Sequence, residues 1–529
     1  MTNAATRLTI TEDNRRWWTL GAMCFALFMV MLDNTVVNVA LPSIQEDLHT
    51  SISGLEWTVN AYTLAFPVLL VTGGRLGDIF GRRRTFLFGV VVFALSSGFI
   101  GLSQSDEWLV AGRAVQGIGA AFMMPATLSI ITNAFPPHER GKAIGTWAGV
   151  SALALAIGPV VGGFLVEHVS WQSIFFLNLP VAVAAVAVTL FATHESRDET
   201  ATHQIDFAGV ATITIGLAAL VLALVEGNSW GWGSARILAL FGVAAAGLVG
   251  FAVVERRSRE PMVDFAFFRS RSFLGANVVA FVVSFAMLAM FFFLALYMQN
   301  IKGYTALQTG VRFLPSTAVI IVVGPIAGRL TDRIGPRPLM TLGLLVTGVS
   351  LFWQGHLETD MSYGFLVGAF VLMGLGMGLV MSPMSAAAMN SVAREKAGVA
   401  SGILSMSRMV GGTFGVAAMG ALITGLGRSR LAELLPGLPA GRRERIAESL
   451  GAGAASDVPE RVRAAAEEAF VSALNTGLRL AALLAVVGAG VAWVLIAAGS
   501  AASAAEAETA PEGAVAAPGG GPVPETARA

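Results

Sequence analysis

Lysine is almost missing from this chain. Its 529 residues hold only Lys142, Lys302 and Lys396, although arginine is abundant. Acids and bases balance at 34 each, so there is no net positive charge to serve as a nucleic-acid footprint. The single cysteine, Cys24, excludes an intrachain disulfide and any multi-cysteine metal site, and reads as a small packing residue. The six histidines are scattered through loops and ends, with no Ser/His/Asp set and no metal-ligand cluster. No phosphate-binding loop of the G-x-x-x-x-G-K-[ST] type occurs, so ATP is not the fuel. The chain therefore offers no catalytic machinery and is not read as an enzyme, and no cofactor or metal is expected. Charge of either sign is scarce at 13%, whereas apolar residues make up 55%. A soluble protein of this length could not bury that much apolar surface.

The apolar residues fall into roughly fourteen runs long enough to cross about 30 Å of hydrocarbon. They lie near 17–40, 57–77, 86–104, 109–132, 143–166, 175–193, 208–226, 235–254, 273–298, 306–328, 339–356, 362–390, 397–425 and 473–498. The first follows Arg15 and Arg16 and lacks a small-residue cleavage site, so it reads as a retained helix rather than a signal peptide. With the N-terminus inside, the inner segments carry about twenty-one Lys and Arg, and the short outer loops about two, Arg236 and Lys302. Both termini are then cytoplasmic. Segment 427–470 falls outside as a long loop with nearly balanced charge and two short amphipathic helices. The Ala/Gly/Pro/Glu tail 501–529 reads as disordered.

One string stands out. G-G-R-L-G-D-I-F-G-R-R-R-T at 73–85 recurs in weaker form as A-G-R-L-T-D-R-I-G-P-R-P at 327–338. Each copy follows an apolar run and packs glycines, an aspartate and arginines into a turn. A repeat at two membrane exits implies two homologous halves, the architecture of secondary transporters. The expected domains are 1–16, a six-helix bundle 17–200, two inserted helices 201–260, a second six-helix bundle 261–500 and the tail.

Four motifs are set along the first five spans. Leu32-Asp33-Asn34-Thr35 through Pro42 lies in the first span, and Gly74 to Arg84 follows the second. Arg113-Ala114-Val115-Gln116-Gly117-Ile118-Gly119 lies in the fourth span, and Gly158-Pro159-Val160-Val161-Gly162-Gly163 in the fifth. Together they resemble motifs of the major facilitator superfamily, and most closely of its fourteen-helix drug:proton antiporter branch. The resemblance covers roughly residues 15–500. It implies an all-α membrane fold of two six-helix bundles plus two inserted helices. It further implies a proton-coupled antiporter that exports amphipathic organic compounds across the cytoplasmic membrane by alternating access. Its partners would be protons, a small organic substrate and the lipid bilayer, with no nucleic acid, and a monomer is expected.

Candidate site residues follow. Ionisable groups inside the membrane are costly and mark function by default. Asp33 is the leading candidate for proton and cationic-substrate binding, with Arg113 at similar depth, and Glu226 is a further coupling candidate. A buried structural ion pair is the alternative for the first two, and an interfacial carboxylate beside tryptophans for Glu226. A cavity wall is sketched from Asn38, Asn60, Tyr62, Gln116, Asn178, Phe291, Met377 and Arg408. Lipid-facing or core filling is the alternative for all but the last. Arg408 lies near mid-membrane with no acid within several turns of its own helix, and facing the cavity, pairing with carbonyls and meeting a substrate group stay open for it. Gly74, Asp78, Gly81, Arg82, Arg83, Asp332 and Arg333 are read as a cytoplasmic latch, or else as a topology anchor. Asp78 could accept from amides at a helix N-terminus or pair with arginine. Pro336 and Pro338 stand where the second copy should carry basic residues. The resemblance implies that Gly158, Pro159, Gly162 and Gly163 seal one half against the other, and ordinary helix packing is the alternative. The resemblance further implies that dicationic substrates would need acids in the tenth and thirteenth spans, and the sequence has none there.

Three competing functions remain open at the level of sequence. A dedicated exporter of one antibiotic or siderophore would sit beside a biosynthetic cluster. A proton-coupled importer would show the opposite counterflow. A non-transporting sensor or assembly factor would not need Asp33.

Overall fold

The computed structural model describes residues 11–50, 52–199, 206–258, 261–451 and 460–498. Regular structure among them is helical. Fourteen long helices run in order: α1 Glu12–Leu48, α2 Ile52–Phe80, α3 Arg82–Gly101, α4 Asp106–Ala134, α5 Pro137–His168, α6 Asn178–Ala192 and α7 Phe207–Trp230. They continue as α8 Ala235–Arg257, α9 Arg271–Leu296, α10 Leu314–Ile334, α11 Pro336–Gln354, α12 Tyr363–Asn390, α13 Ala397–Leu434 and α14 Glu460–Leu495. Among the described residues, twelve helices are long and apolar enough to cross a membrane. Helices α5 and α11 are not among those twelve, although they occupy two of the fourteen expected positions. Large apolar side chains such as Phe88, Leu95, Val183, Phe191, Val249, Val322 and Val494 stay exposed, an outer surface suited to lipid rather than water.

Packing sorts the helices into two sets. Within α1–α6, α1 lies on α5 and α6, and α4 lies on α2 and α3. Within α9–α14, α9 lies on α13 and α14, and α12 lies on α10 and α11. The sets meet mainly along two seams, α2 on α13 and α10 on α5. Helix α10 holds in the second set the place α2 holds in the first, and α13 the place of α5, so the seams are two-fold mates. Helices α7 and α8 pack on each other, and α7 reaches α2 and α13, so the pair lies beside the first seam.

Local chemistry explains the boundaries. Gly81 (φ 108°) and Gly335 (φ 82°) break the chain between α2 and α3 and between α10 and α11, in a region of backbone space that side chains resist. Ser105, Asp206, Ser234 and Ser270 accept the first free amides of α4, α7, α8 and α9.

Two expectations need correction. The run 306–328 is not one helix: Ala306–Arg312 is a separate helix of about two turns, and α10 starts at Leu314 with Pro315 in its first turn. Segment 427–470 holds the first of its two expected amphipathic helices, at Ala440–Gly451, but the second is the start of a long helix and little of the segment is loop. Helix α13 continues to Leu434, α14 already begins at Glu460, and Ala440–Gly451 is a helix between them. Arg428–Glu444 and Arg430–Glu468 ion pairs tie this projection together. The tail 501–529 and residues 1–10, 201–205 and 452–459 lie outside the described residues.

Candidate functional site

Asp33 lies on the face of α1 turned into the first bundle and is 4% exposed. Burying a lone carboxylate is prohibitive, so its partners matter. Arg113 Nη1 on α4 donates to Asp33 Oδ2 at 2.6 Å. Gln116 Nε2 and Asn178 Nδ2 donate to Oδ1 at 3.0 and 3.2 Å. Arg113 also donates to the Gln116 amide oxygen at 2.6 Å and, through Nε, to the Thr58 carbonyl at 3.2 Å. The Tyr62 ring lies 4.3 Å from the guanidinium and completes its cage. Ser97 accepts from Gln116 and Asn178 and donates to the Phe175 carbonyl. Helices α1, α4 and α6 thus meet at one carboxylate, and α2 and α3 join the network through Arg113 and Ser97.

The spacing of the motifs produces this. Arg113 and Gln116 sit one turn apart on α4 and share a face, so both reach the same acid. Sequence reasoning named Asp33, Arg113, Gln116 and Asn178 but missed Ser97 and the Thr58 carbonyl, which carry no motif. It also placed Tyr62 and Gln116 on a substrate cavity. Both are buried, at 1% and 0% exposure, because the network draws them inward.

The second constellation sits at the arginine-rich end. Asp78 Oδ1 accepts from Arg82 Nε and Nη2 at 2.9 and 2.7 Å and from the Gly398 amide at 2.9 Å. Its Oδ2 accepts from the Val399 amide at 2.9 Å. The carboxylate therefore caps α13, where free amides and the helix dipole favour negative charge. Arg82 donates onward to the carbonyls of Arg394 and Glu395 at 2.7 and 2.6 Å. Across the two-fold, Asp332 accepts from the amides of Gly141 and Lys142 in the first turns of α5, at 3.0 and 3.3 Å. Gly74 lies against the Gly398 carbonyl, and Gly328 and Gly141 lie against each other's carbonyls, so a side chain at any of them would strike backbone.

The two clasps differ. Arg82 has its counterpart at Pro336, so the second clasp lacks the arginine arm. Arg333 is exposed, and among the described residues it joins neither ion pair nor hydrogen bond of that clasp; it does not belong to the set. Arg83 donates to the Leu190 carbonyl at 2.9 Å within the first bundle, away from the seam. The receiving glycines, Gly141 and Gly398, were missed. Their signal is a second repeat: R-G-K-A-I-G at 140–145 and A-G-V-A-S-G at 397–402 both carry glycines four residues apart after a charged turn.

The glycines of α5 divide between two neighbours. Gly141 and Gly145 face α10 across the seam, whereas Gly158 meets Thr35 and Gly162 meets Val36 on α1. The expected seal between halves is therefore corrected in this structure: Gly158 and Gly162 pack inside the first bundle, two and three residues along α1 from Asp33. Gly163 has open space beside it, and the Pro159 side chain lies outside the described residues, although the helix runs on through it.

The remaining candidates disperse. Glu226 is 7% exposed and accepts from Asn60 Nδ2 at 3.3 Å, so it is a buried acid between α7 and α2, and Asn60 turns to α7 instead of a cavity. Asn38 is exposed and donates to the Asn34 carbonyl at 3.0 Å. Met377 is fully buried, while Phe291 packs edge-on to Phe313 at 4.8 Å. Arg408 is half-buried, with no hydrogen bond or ion pair among the described residues.

Set against known proteins, the sequence matches the family description "Major Facilitator Superfamily" over residues 23–416. The chain belongs to the major facilitator superfamily. It is 38% identical over 422 residues to the tetracenomycin C resistance and export protein of Streptomyces glaucescens, covering 80% of this chain and 78% of that one. It is 37% identical over 406 residues to the multidrug resistance protein Stp of Mycobacterium tuberculosis, covering 77% and 75%. The fold is shared with a solved proton:xylose symporter, XylE, at a TM-score of 0.63 and 12% identity, over 93% of this chain and 98% of that one. Such facilitator proteins are multi-pass membrane transporters of small organic molecules.

Proposed function

We propose that this chain is a proton-coupled antiporter that exports amphipathic organic compounds across the cytoplasmic membrane, with fourteen spans and both termini inside. One observation carries the reading. The network around a buried carboxylate, Asp33, ties five helices together on the same stretch of α1 that supports α5, and the opposite end of α5 is clasped by Asp332. Helix α5 is thus a rod joining a protonatable site to a seam between the bundles. The arginine bias puts the closed seams on the cytoplasmic side, which makes this the outward-facing arrangement.

Protonation of Asp33 removes the charge that Arg113 neutralises and weakens the links from α4 and α6 to α1. Helix α1 and the α5 glycines packed on it then shift, the Asp332 and Asp78 clasps part, and the cavity turns inward. In the outward-facing state Asp33 is sealed from a drug-sized ligand, so the proton, rather than direct drug competition, is the natural occupant of this carboxylate. Relatives named for resistance to one antibiotic and for multidrug resistance leave two breadths to separate. A drug-susceptibility panel in an efflux-deficient host tests the reading. Expression should raise tolerance to several amphipathic compounds, and a protonophore should abolish the gain. Protection that survives loss of the gradient, or none at all, overturns it. Protection against a single compound favours the dedicated exporter.

A further inference from the structure

Among the described residues, the deep acids have partners. Asp33 serves Arg113, Asp78 serves Arg82 and α13, Asp332 serves α5, Glu226 meets Asn60, and Glu255 accepts from the Val263 amide at 3.2 Å. Arg408 is left over. It lies eleven residues past Ala397, about 16 Å into α13 by helical rise. A guanidinium at that depth is expensive unless something answers its charge.

Its direction can be read from the same helix. Ser401, Ser405, Arg408 and Gly412 recur at steps of four, three and four, and so form one stripe along α13. At the inner end of the stripe the Ser401 hydroxyl donates to the Pro125 carbonyl on α4, at 2.7 Å. At the outer end Gly412 rests on Leu288 of α9. Arg408 therefore lies on the face that α13 turns to the opposite bundle, between a first-bundle helix and α9. The row of α4 running outward from Pro125 reads Ala121, Ile118 and Ala114, small or apolar residues with no acid.

Resting on the exporter reading above, we propose that Arg408 is the counter-charge for an acidic group on the transported molecule. The substrates it favours are amphipathic weak acids: phenols, enols or carboxylic acids on an apolar body. Among the described residues, a cation finds no acid on the rows of α4 and α13 beside Arg408, and Asp33 is already neutralised. An acid finds a planar donor whose desolvation the helix has already borne.

The test uses three probes with one apolar body: pyrenebutyrate, pyrenebutanol and a pyrenebutyl-trimethylammonium salt. Isothermal titration of the purified full chain should rank the acid at least about tenfold tighter than the alcohol, with the ammonium weakest. In Arg408→Gln the acid and the alcohol should converge, while Arg408→Lys keeps a preference for the acid. A wild-type protein with no preference for the acid, or an Arg408→Gln variant that retains it, overturns the proposal. Should Arg408→Gln not fold, the wild-type ranking and Arg408→Lys still decide. An intact preference for the acid with no proton-driven transport of any probe would instead count against the exporter reading.

Discussion

Replacing Asp78 by alanine should open the face of the molecule that the two clasps close. The carboxylate accepts two hydrogen bonds from Arg82 and two from the amides that start α13, and both Asp78 and Arg82 are at most 1% exposed. Removing one member of a buried pair typically costs about 3–5 kcal/mol, because the other charge stays buried alone. Opening the seam wets Arg82 and the freed amides, so most of that penalty falls on the closed state only. Even the lower figure, about 3 kcal/mol, shifts the closed-to-open ratio by roughly two orders of magnitude. Spin labels at the exposed positions Arg84 and Arg394, in a Cys24→Ser background, would report the distance across this face by pulsed dipolar spectroscopy. A longer-distance population should dominate in Asp78→Ala and grow partially in Asp78→Asn. Transport should slow more than substrate binding weakens. A correctly folded Asp78→Ala protein with an unchanged distance distribution would refute the reasoning.

Two further outcomes are expected. Gly158→Val drives a branched side chain into Thr35 on α1 and should disturb the Asp33 network; gradient-driven efflux falls at least about tenfold while membrane insertion, read by surface labelling, persists. Arg113→Ala strands Asp33 and should lower stability by about 3–5 kcal/mol in detergent unfolding, whereas Asp33→Asn with Arg113→Gln costs less than the two single changes added together, as a coupled pair requires.

Much of this was legible in the sequence, for reasons that can be named. The span pattern depends on composition and length, which membranes constrain tightly. Arg113 and Gln116 were readable because helical spacing puts them on one face, and Gly81 and Gly335 because a sharp break needs glycine. The sequence stopped short wherever one residue's role depends on the neighbour it meets. Nothing in G-P-V-V-G-G says that its glycines face α1 rather than the other bundle. Tyr62, Asn60 and Met377 are polar or soft residues in spans, and only packing decides that they point inward or to α7. Arg333 imitates a latch arginine, but it stands one place after the aspartate, whereas Arg82 stands four places after Asp78 and returns one full turn to it. The end of α13 was hidden because charged residues there resemble a loop, and the amphipathic start of α14 read as a separate short helix because its charges interrupt the apolar run.

The central claim is that protons and substrate exchange through a cycle governed by Asp33. Proteoliposomes with a trapped pH indicator test it directly, with the signal of protein-free liposomes subtracted. Adding substrate outside an acidic lumen should release protons in step with its uptake. Asp33→Asn, which keeps the shape and removes the titration, should abolish that release while substrate still binds. Substrate uptake by the wild type without proton movement, or undiminished release in Asp33→Asn, would contradict the account.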